Sequence, residues 1–277
     1  MLPLENHSPQ GEARISASTV ESLLSLHSTI SGEIELLKIG TAAVPVLRQF
    51  LFTRVPSGIY QPRCSAVHVL TTLHANVALR DYLTSVSDAS DPIERMGDEA
   101  VVNEAARALA KSGEPWVFDF LLDLSSRRVS PGIVDALGTF DRTEIIPILV
   151  AALEEDDTWV YSATALRRLG VKAHAALVHA ASTARPSAAN ESQSSIRKRR
   201  RALDVLANSN LSLDHSMALS KLVEEQDPRI AFLVCKICLQ TPGLECRVRA
   251  VQRLGELRTN ADWILAKDID HCLEKRR

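Results

Sequence analysis

The chain has 277 residues and a net charge of -2, and its residues are 45% hydrophobic but only 4% aromatic. No run approaches about 18 uninterrupted apolar residues, which excludes a helical membrane span. Its five cysteines are an odd number and suit a reducing compartment better than a disulfide framework. Residues 1–14 are polar and have neither a basic start with an apolar core nor a small-residue cleavage site, so the expectation is a cytoplasmic protein with no membrane partner.

Leu, Ala and Val dominate the apolar set, and alternating β patterns are absent, so the chain reads as all-α. The first pair is expected over residues 17–38, as one helix or as two broken near Ser31-Gly32, returning through 43–52. Gly40 ends its first helix, and Pro45 sits in the first turn of the second. The next pair starts at Pro62, with Ala66, Val69, Leu70 and Leu73 on one stripe and Val77, Leu79 and Leu83 on the other. Residues 85–97 read as a polar loop. Pairs over 98–124, 131–153 and 157–181 follow, turning at Gly113, Gly138 and Gly170.

Residues 182–195 are Ser-, Ala- and Asn-rich and read as a long polar loop. Beyond it lie helices over 196–208 and 213–225, one over 228–239, and a last pair over 246–257 and 261–273. The whole is expected to be a flexible segment at 1–16 followed by a single array over 17–277. Units that cannot bury an apolar face alone stack on copies of themselves.

The run Asp157-Thr158-Trp159-Val160-Tyr161-Ser162-Ala163-Thr164-Ala165-Leu166-Arg167-Arg168-Leu169-Gly170 resembles the HEAT-like family of α-solenoids. Asp227-Pro228-Arg229-Ile230-Ala231 and Val248-Arg249-Ala250-Val251-Gln252-Arg253-Leu254-Gly255 are similar in part. The resemblance implies a right-handed solenoid of stacked antiparallel helix pairs whose inner helices line a concave binding surface. Aligning the inner helices on Pro45, Pro115, Pro147 and Ala175 places Gln49, Asp119, Ala151 and His179 in equivalent positions. Gln49, Asp119 and His179 are therefore candidate partner-binding residues.

Charge is unevenly spread: there are 16 Lys and Arg against 11 Asp and Glu from Arg197 onward, and 16 against 23 before it. The cations Arg197, Lys198, Arg199, Arg200 and Arg201 are consecutive, and at about 100° per residue they encircle a helix. Leu203 and Leu206 mark its buried stripe, which puts Arg199 nearest the core and leaves Arg197, Lys198 and Arg201 more exposed. Cations at a helix start oppose the dipole. The compensating partner is either a polyanion or the acidic run Glu154, Glu155, Asp156 and Asp157. Arg247, Arg249 and Arg253 extend the basic set.

Phosphate loops, zinc-protease and serine-elbow motifs are missing, and no cofactor pattern is present. Cys235 and Cys238 sit inside an apolar run, so packing accounts for them better than a metal does, and Cys246, His271 and Cys272 add no ligand spacing. His68, His74, His174 and His179 read as solvated or hydrogen-bonded. A DNA glycosylase branch of the HEAT-like group has a similar architecture, but Trp116 near Asp119 is too little to transfer its chemistry. The expected function is a non-catalytic scaffold binding a protein or peptide. The alternatives are a nucleic-acid-binding module with a basic C-terminal surface, and a glycosylase-like or protein-modifying enzyme.

Overall fold

The computed structural model describes residues 29–54, 59–186, 191–241 and 246–274, so the expected segment 1–16 and the first helix as far as residue 28 lie outside it. Among the described residues every regular element is helical, apart from one isolated bridge between Pro186 and Glu191. No helix among them is long and apolar enough to cross a membrane. Backbone packing divides the chain into two units, 1–137 and 138–277.

The first unit contains α1 (Thr29–Ile39), α2 (Val44–Phe50), α3 (Gln61–Thr72), α4 (Asn76–Ser85), α5 (Pro92–Lys111), α6 (Val117–Arg127) and all but the last residue of α7 (Pro131–Gly138). Helix α1 packs on α3 and α3 on α5, while α2 packs on α4, so helices two apart in sequence lie side by side. The expected turn chemistry is present at Gly40 and Gly113, both at φ +73°, a left-handed backbone that glycine adopts without the steric cost of a Cβ. Pro45, Pro62 and Pro92 open their helices, where a missing N–H leaves no bond unmade.

Of the two forms expected for the first helix, the described part takes the unbroken one, running through Ser31-Gly32. Two other expectations for this unit change. Val77, placed on the apolar stripe, is exposed, while Leu79 and Leu83 are buried as expected and Ala78 joins them in its place. The polar loop ends at Asp91 rather than Gly97, because the Asp91 carboxylate accepts hydrogen bonds from the backbone N–H groups of Ile93 (2.9 Å) and Glu94 (3.0 Å) and so starts α5 six residues before Asp98. This early start carries Asp98 into the core, where it is 1% exposed.

The second unit contains α8 (Ile146–Ala152), α9 (Trp159–Leu169), α10 (Val171–Ser182), α11 (Gln193–Leu206), α12 (Leu213–Ser220), α13 (Pro228–Gln240), α14 (Arg247–Asn260) and α15 (Trp263–Glu274). Two rows interleave: α9, α11, α13 and α15 pack in succession, as do α8, α10 and α12. Gly170, at φ +55° and ψ -127°, joins α9 to α10 in a conformation almost closed to other residues. Gly138 differs from the expected turn. It has no positive φ, and a Cβ there would lie 2.8 Å from the Ala165 Cβ, so this glycine is required by close approach to α9.

The loop expected over 182–195 is shorter at its far end. Ser192 caps α11 by accepting from the Ser195 N–H, and Ser195 is itself buried, so helix already covers residues 193–195. Helix α14 packs chiefly against α13, and α15 packs on α14, as the expected last pair requires, and also on α13 in the first-helix row.

Candidate functional site

The five consecutive cations occupy the first half of α11, and the turn between α8 and α9 lies against them. Arg199 points inward as the Leu203 and Leu206 stripe required, and it is 2% exposed. Its Nε donates to the Ala181 carbonyl at 2.8 Å, and its two terminal nitrogens pair with Glu191 and Glu225. The other cations are held on the outside. Lys198 donates to Glu154 at 3.1 Å, Arg197 to the Glu154 carbonyl at 3.3 Å, and Arg201 to the Leu153 carbonyl at 2.8 Å and to Asp156. The Arg201 hydrogen bond holds Asp156 below the usual carboxylate range. Compensation of the basic run by the neighbouring acidic run is therefore present, through the side chains of Glu154 and Asp156 and the carbonyl of Glu155.

A groove of about 1020 Å³ opens across the row α9, α11, α13 and α15. Phe232, Leu233 and Leu239 of α13 and Trp159 of α9 give it apolar walls, and the Arg201 guanidinium lies over the Trp159 ring, 5.0 Å from its centroid. Arg200 enters the groove while bonded to Asp227 (Nε to Oδ1 3.0 Å), and Arg229 enters while bonded to Asp268 (3.0 Å). Burial works to raise the Asp227 pKa, but hydrogen bonds from Arg200 and from the Ile230 and Arg229 N–H groups outweigh it, and the carboxyl sits below its ordinary value. Two cations differ. Lys236 donates to the neutral Asn208 Oδ1 at 3.0 Å, and Arg247, exposed at the first position of α14, makes no ion pair among the described residues.

The groove gathers two of the six predicted basic residues, Arg201 and Arg247. Arg249 is bonded to Glu224 and to Glu256 (3.0 Å), and Arg253 to Glu256 (3.1 Å) and the Glu225 carbonyl (3.2 Å), neither of them in the groove. Gln49 and Asp119 are exposed on α2 and α6 in the first unit, and His179 is exposed near the end of α10 in the second. None of the three lines this groove. The alignment behind Gln49, Asp119 and His179 points to the second helix of each pair, whereas the groove lies mainly across first helices, with Arg247 contributed by α14. The signal for it was Lys236, a lone cation within the apolar run of α13 that marks its exposed face.

Trp116 does not pair with Asp119. Its ring packs at 5.9 Å on Phe120 and lies 5.5 Å from the Arg80 guanidinium. Cys235 and Cys238 are fully buried, and burial pushes the Cys235 thiol up to about 12. This makes it a packing residue rather than a nucleophile. No group of three or more His, Cys, Asp or Glu among the described residues is arranged to hold a metal.

His174 departs from the solvated or hydrogen-bonded expectation. It is buried, its ring stands 6.0 Å from that of His215, and its Nε2 and the His215 Nδ1 are buried without hydrogen-bond partners among the described residues. Burial and the neighbouring His215 hold the His174 pKa below the ordinary imidazole value. As pH falls below about 6.5, the unfolded chain takes up this proton first, so stability is full above that value and declines toward the lower folded-state value. His174→Leu is expected to flatten the decline in urea midpoint between about pH 7 and about pH 5.5. An equally steep decline in the variant would count against this account.

Comparison with models of known protein families and with curated proteins finds no match to this chain.

Proposed function

We propose that this chain is a non-catalytic binding protein of the HEAT-like kind, and that the groove across α9, α11, α13 and α15 holds an extended polypeptide. Within each unit, the side-by-side packing of helices two apart and the glycine turns support a solenoid of stacked helix pairs. The observation that carries the binding reading is the groove itself: about 1020 Å³, with apolar walls and a rim of cations and carboxylates, crossing successive repeats. A surface formed by already packed helices loses little conformational freedom on binding, so the ordering cost falls mainly on the partner. Five free cysteines, two of them core residues, favour a cytoplasmic setting for it.

Charge weighs against nucleic acid. Phosphate binding draws its free energy from cations free to displace counterions. Of Arg197, Lys198, Arg201, Arg249 and Arg253, each is already bonded to carboxylates or carbonyls of its own unit. The enzyme reading has less behind it, since Asp119 is an exposed residue on α6 and no cluster arranged to hold a metal is present among the described residues.

A display library of roughly 12-residue peptides, about 40 Å long when extended, tests the proposal on the full chain. Enrichment is expected, and Leu233→Trp, which crowds the apolar wall of the groove without changing its charge, is expected to weaken capture by about tenfold or more while leaving the melting temperature in place. No enrichment, or peptides that bind the crowded variant equally well, would refute it. Binding of a labelled DNA or RNA duplex with a salt slope steeper than about -4 would replace it with the nucleic-acid reading.

A further inference from the structure

We infer that the occupant of this groove is an acidic segment of polypeptide that carries a bulky apolar side chain, with Lys236 and Arg247 as the residues that read its carboxylates. The inference rests on the peptide-binding reading and deepens it.

Five cations line the groove, and three of them are spent. Arg200 is bonded to Asp227, Arg201 to Asp156, and Arg229 to Asp268. The two carboxylates in the lining are spent as well, Asp204 on Arg167 and Asp268 on Arg229. The residual charge is therefore positive and sits on two side chains from different helices. Lys236 has only a neutral amide for a partner, and Arg247 has no ion pair among the described residues. Arg247 also stands at the start of α14, where a cation opposes the helix dipole. An anion beside it satisfies the guanidinium and the positive helix end together.

The apolar part of the lining sets the second requirement. Leu233 and the Trp159 ring are half-buried on α13 and α9, with the buried Phe232 and Leu239 beside them in the lining, and an occupant that offered charge alone would leave Leu233 and Trp159 wet. Spacing excludes a strand of nucleic acid, which presents a charge at every residue. Asp204, Asp227 and Asp268 lie on or beside the lining, so a continuous phosphate backbone would meet three carboxylates and only two cations that have no carboxylate partner among the described residues. A peptide with a few Asp or Glu around one large apolar residue matches two free cations and one apolar wall.

The test reads the charge of what the groove selects. Peptides enriched on the full chain are expected to be more acidic than the input library and to carry an aromatic or long aliphatic residue. The exposed-face double variant Lys236→Glu with Arg247→Glu, with its fold checked by circular dichroism and melting, is expected to weaken them by about tenfold or more through like-charge repulsion. Repeating the selection on that variant is expected to yield neutral or basic peptides. An enriched pool with the charge of the input, or less than about a threefold effect of the double reversal, overturns the acidic assignment. Peptide binding itself survives that result if Leu233→Trp still weakens capture by about tenfold or more, and it falls if Leu233→Trp does not.

Discussion

Asp98→Ala is expected to destabilise the protein by about 3–5 kcal/mol, the range for removing one partner of a buried ion pair. Asp98 is 1% exposed and Arg63 is 3% exposed. One carboxylate oxygen accepts from Arg63 Nη1 at 2.6 Å and the other from Arg54 Nε at 3.0 Å, while Arg54 also reaches the Ser87 carbonyl at 2.9 Å. Without the carboxylate, Arg63 becomes a buried cation whose Nε already lacks a partner among the described residues. The double variant Asp98→Ala with Arg63→Met is expected to recover much of the loss, because an apolar replacement leaves no charge stranded. Urea unfolding followed by circular dichroism measures both. A loss below about 1 kcal/mol for the single variant, or no recovery in the double, would show that the pair does not organise this core.

Arg199→Met is expected to cost about 3 kcal/mol for the same reason in the second unit. This guanidinium donates in three directions at once, to the Ala181 carbonyl at the end of α10, to Glu191 before α11 and to Glu225 after α12. Burial alone would lower its pKa, but the bonds to Glu225 and Glu191 outweigh that and raise it. Lysine keeps the charge yet lacks the planar fork, so Arg199→Lys is expected to lose more than half as much stability as Arg199→Met. Equal stability of the lysine variant and the native chain would mean that charge alone matters at this position. The effect is expected to be seen first as exposure of residues 183–186 and 191–192, by hydrogen exchange, since Glu191 is tied to α11 through Arg199 and Ser195, and Arg185 through Ser195.

The helical architecture was legible because its local rules are backbone rules. Gly40, Gly113 and Gly170 turn the chain where a left-handed residue is needed, and Pro45, Pro147 and Pro228 sit where an N–H is dispensable. Gly138 misled because a glycine can equally serve close packing, and only the position of Ala165 distinguishes the two uses. The start of α5 was misplaced because the capping value of Asp91 depends on its bonds to Ile93 and Glu94, which the polar composition of 85–97 obscures. Arg199 was read correctly as inward because the Leu203 and Leu206 stripe fixes the helix phase. The groove was not legible, since Trp159, Lys236 and Arg247 come from three different helices. Their proximity follows from how the row stacks, and no local pattern encodes that.

The grip of Glu154 and Asp156 on the basic run also decides how the molecule meets trypsin-like proteases. Positions 197–201 are the densest cluster of potential cleavage points in the chain, yet cutting there requires the backbone to leave its helix and lie extended in the enzyme. Arg197, Lys198 and Arg201 are fastened to the turn before α9, and Arg199 is sealed in the interior. Digestion at these peptide bonds therefore waits on an opening that breaks several anchors together, and this stretch is expected to resist scission despite its composition.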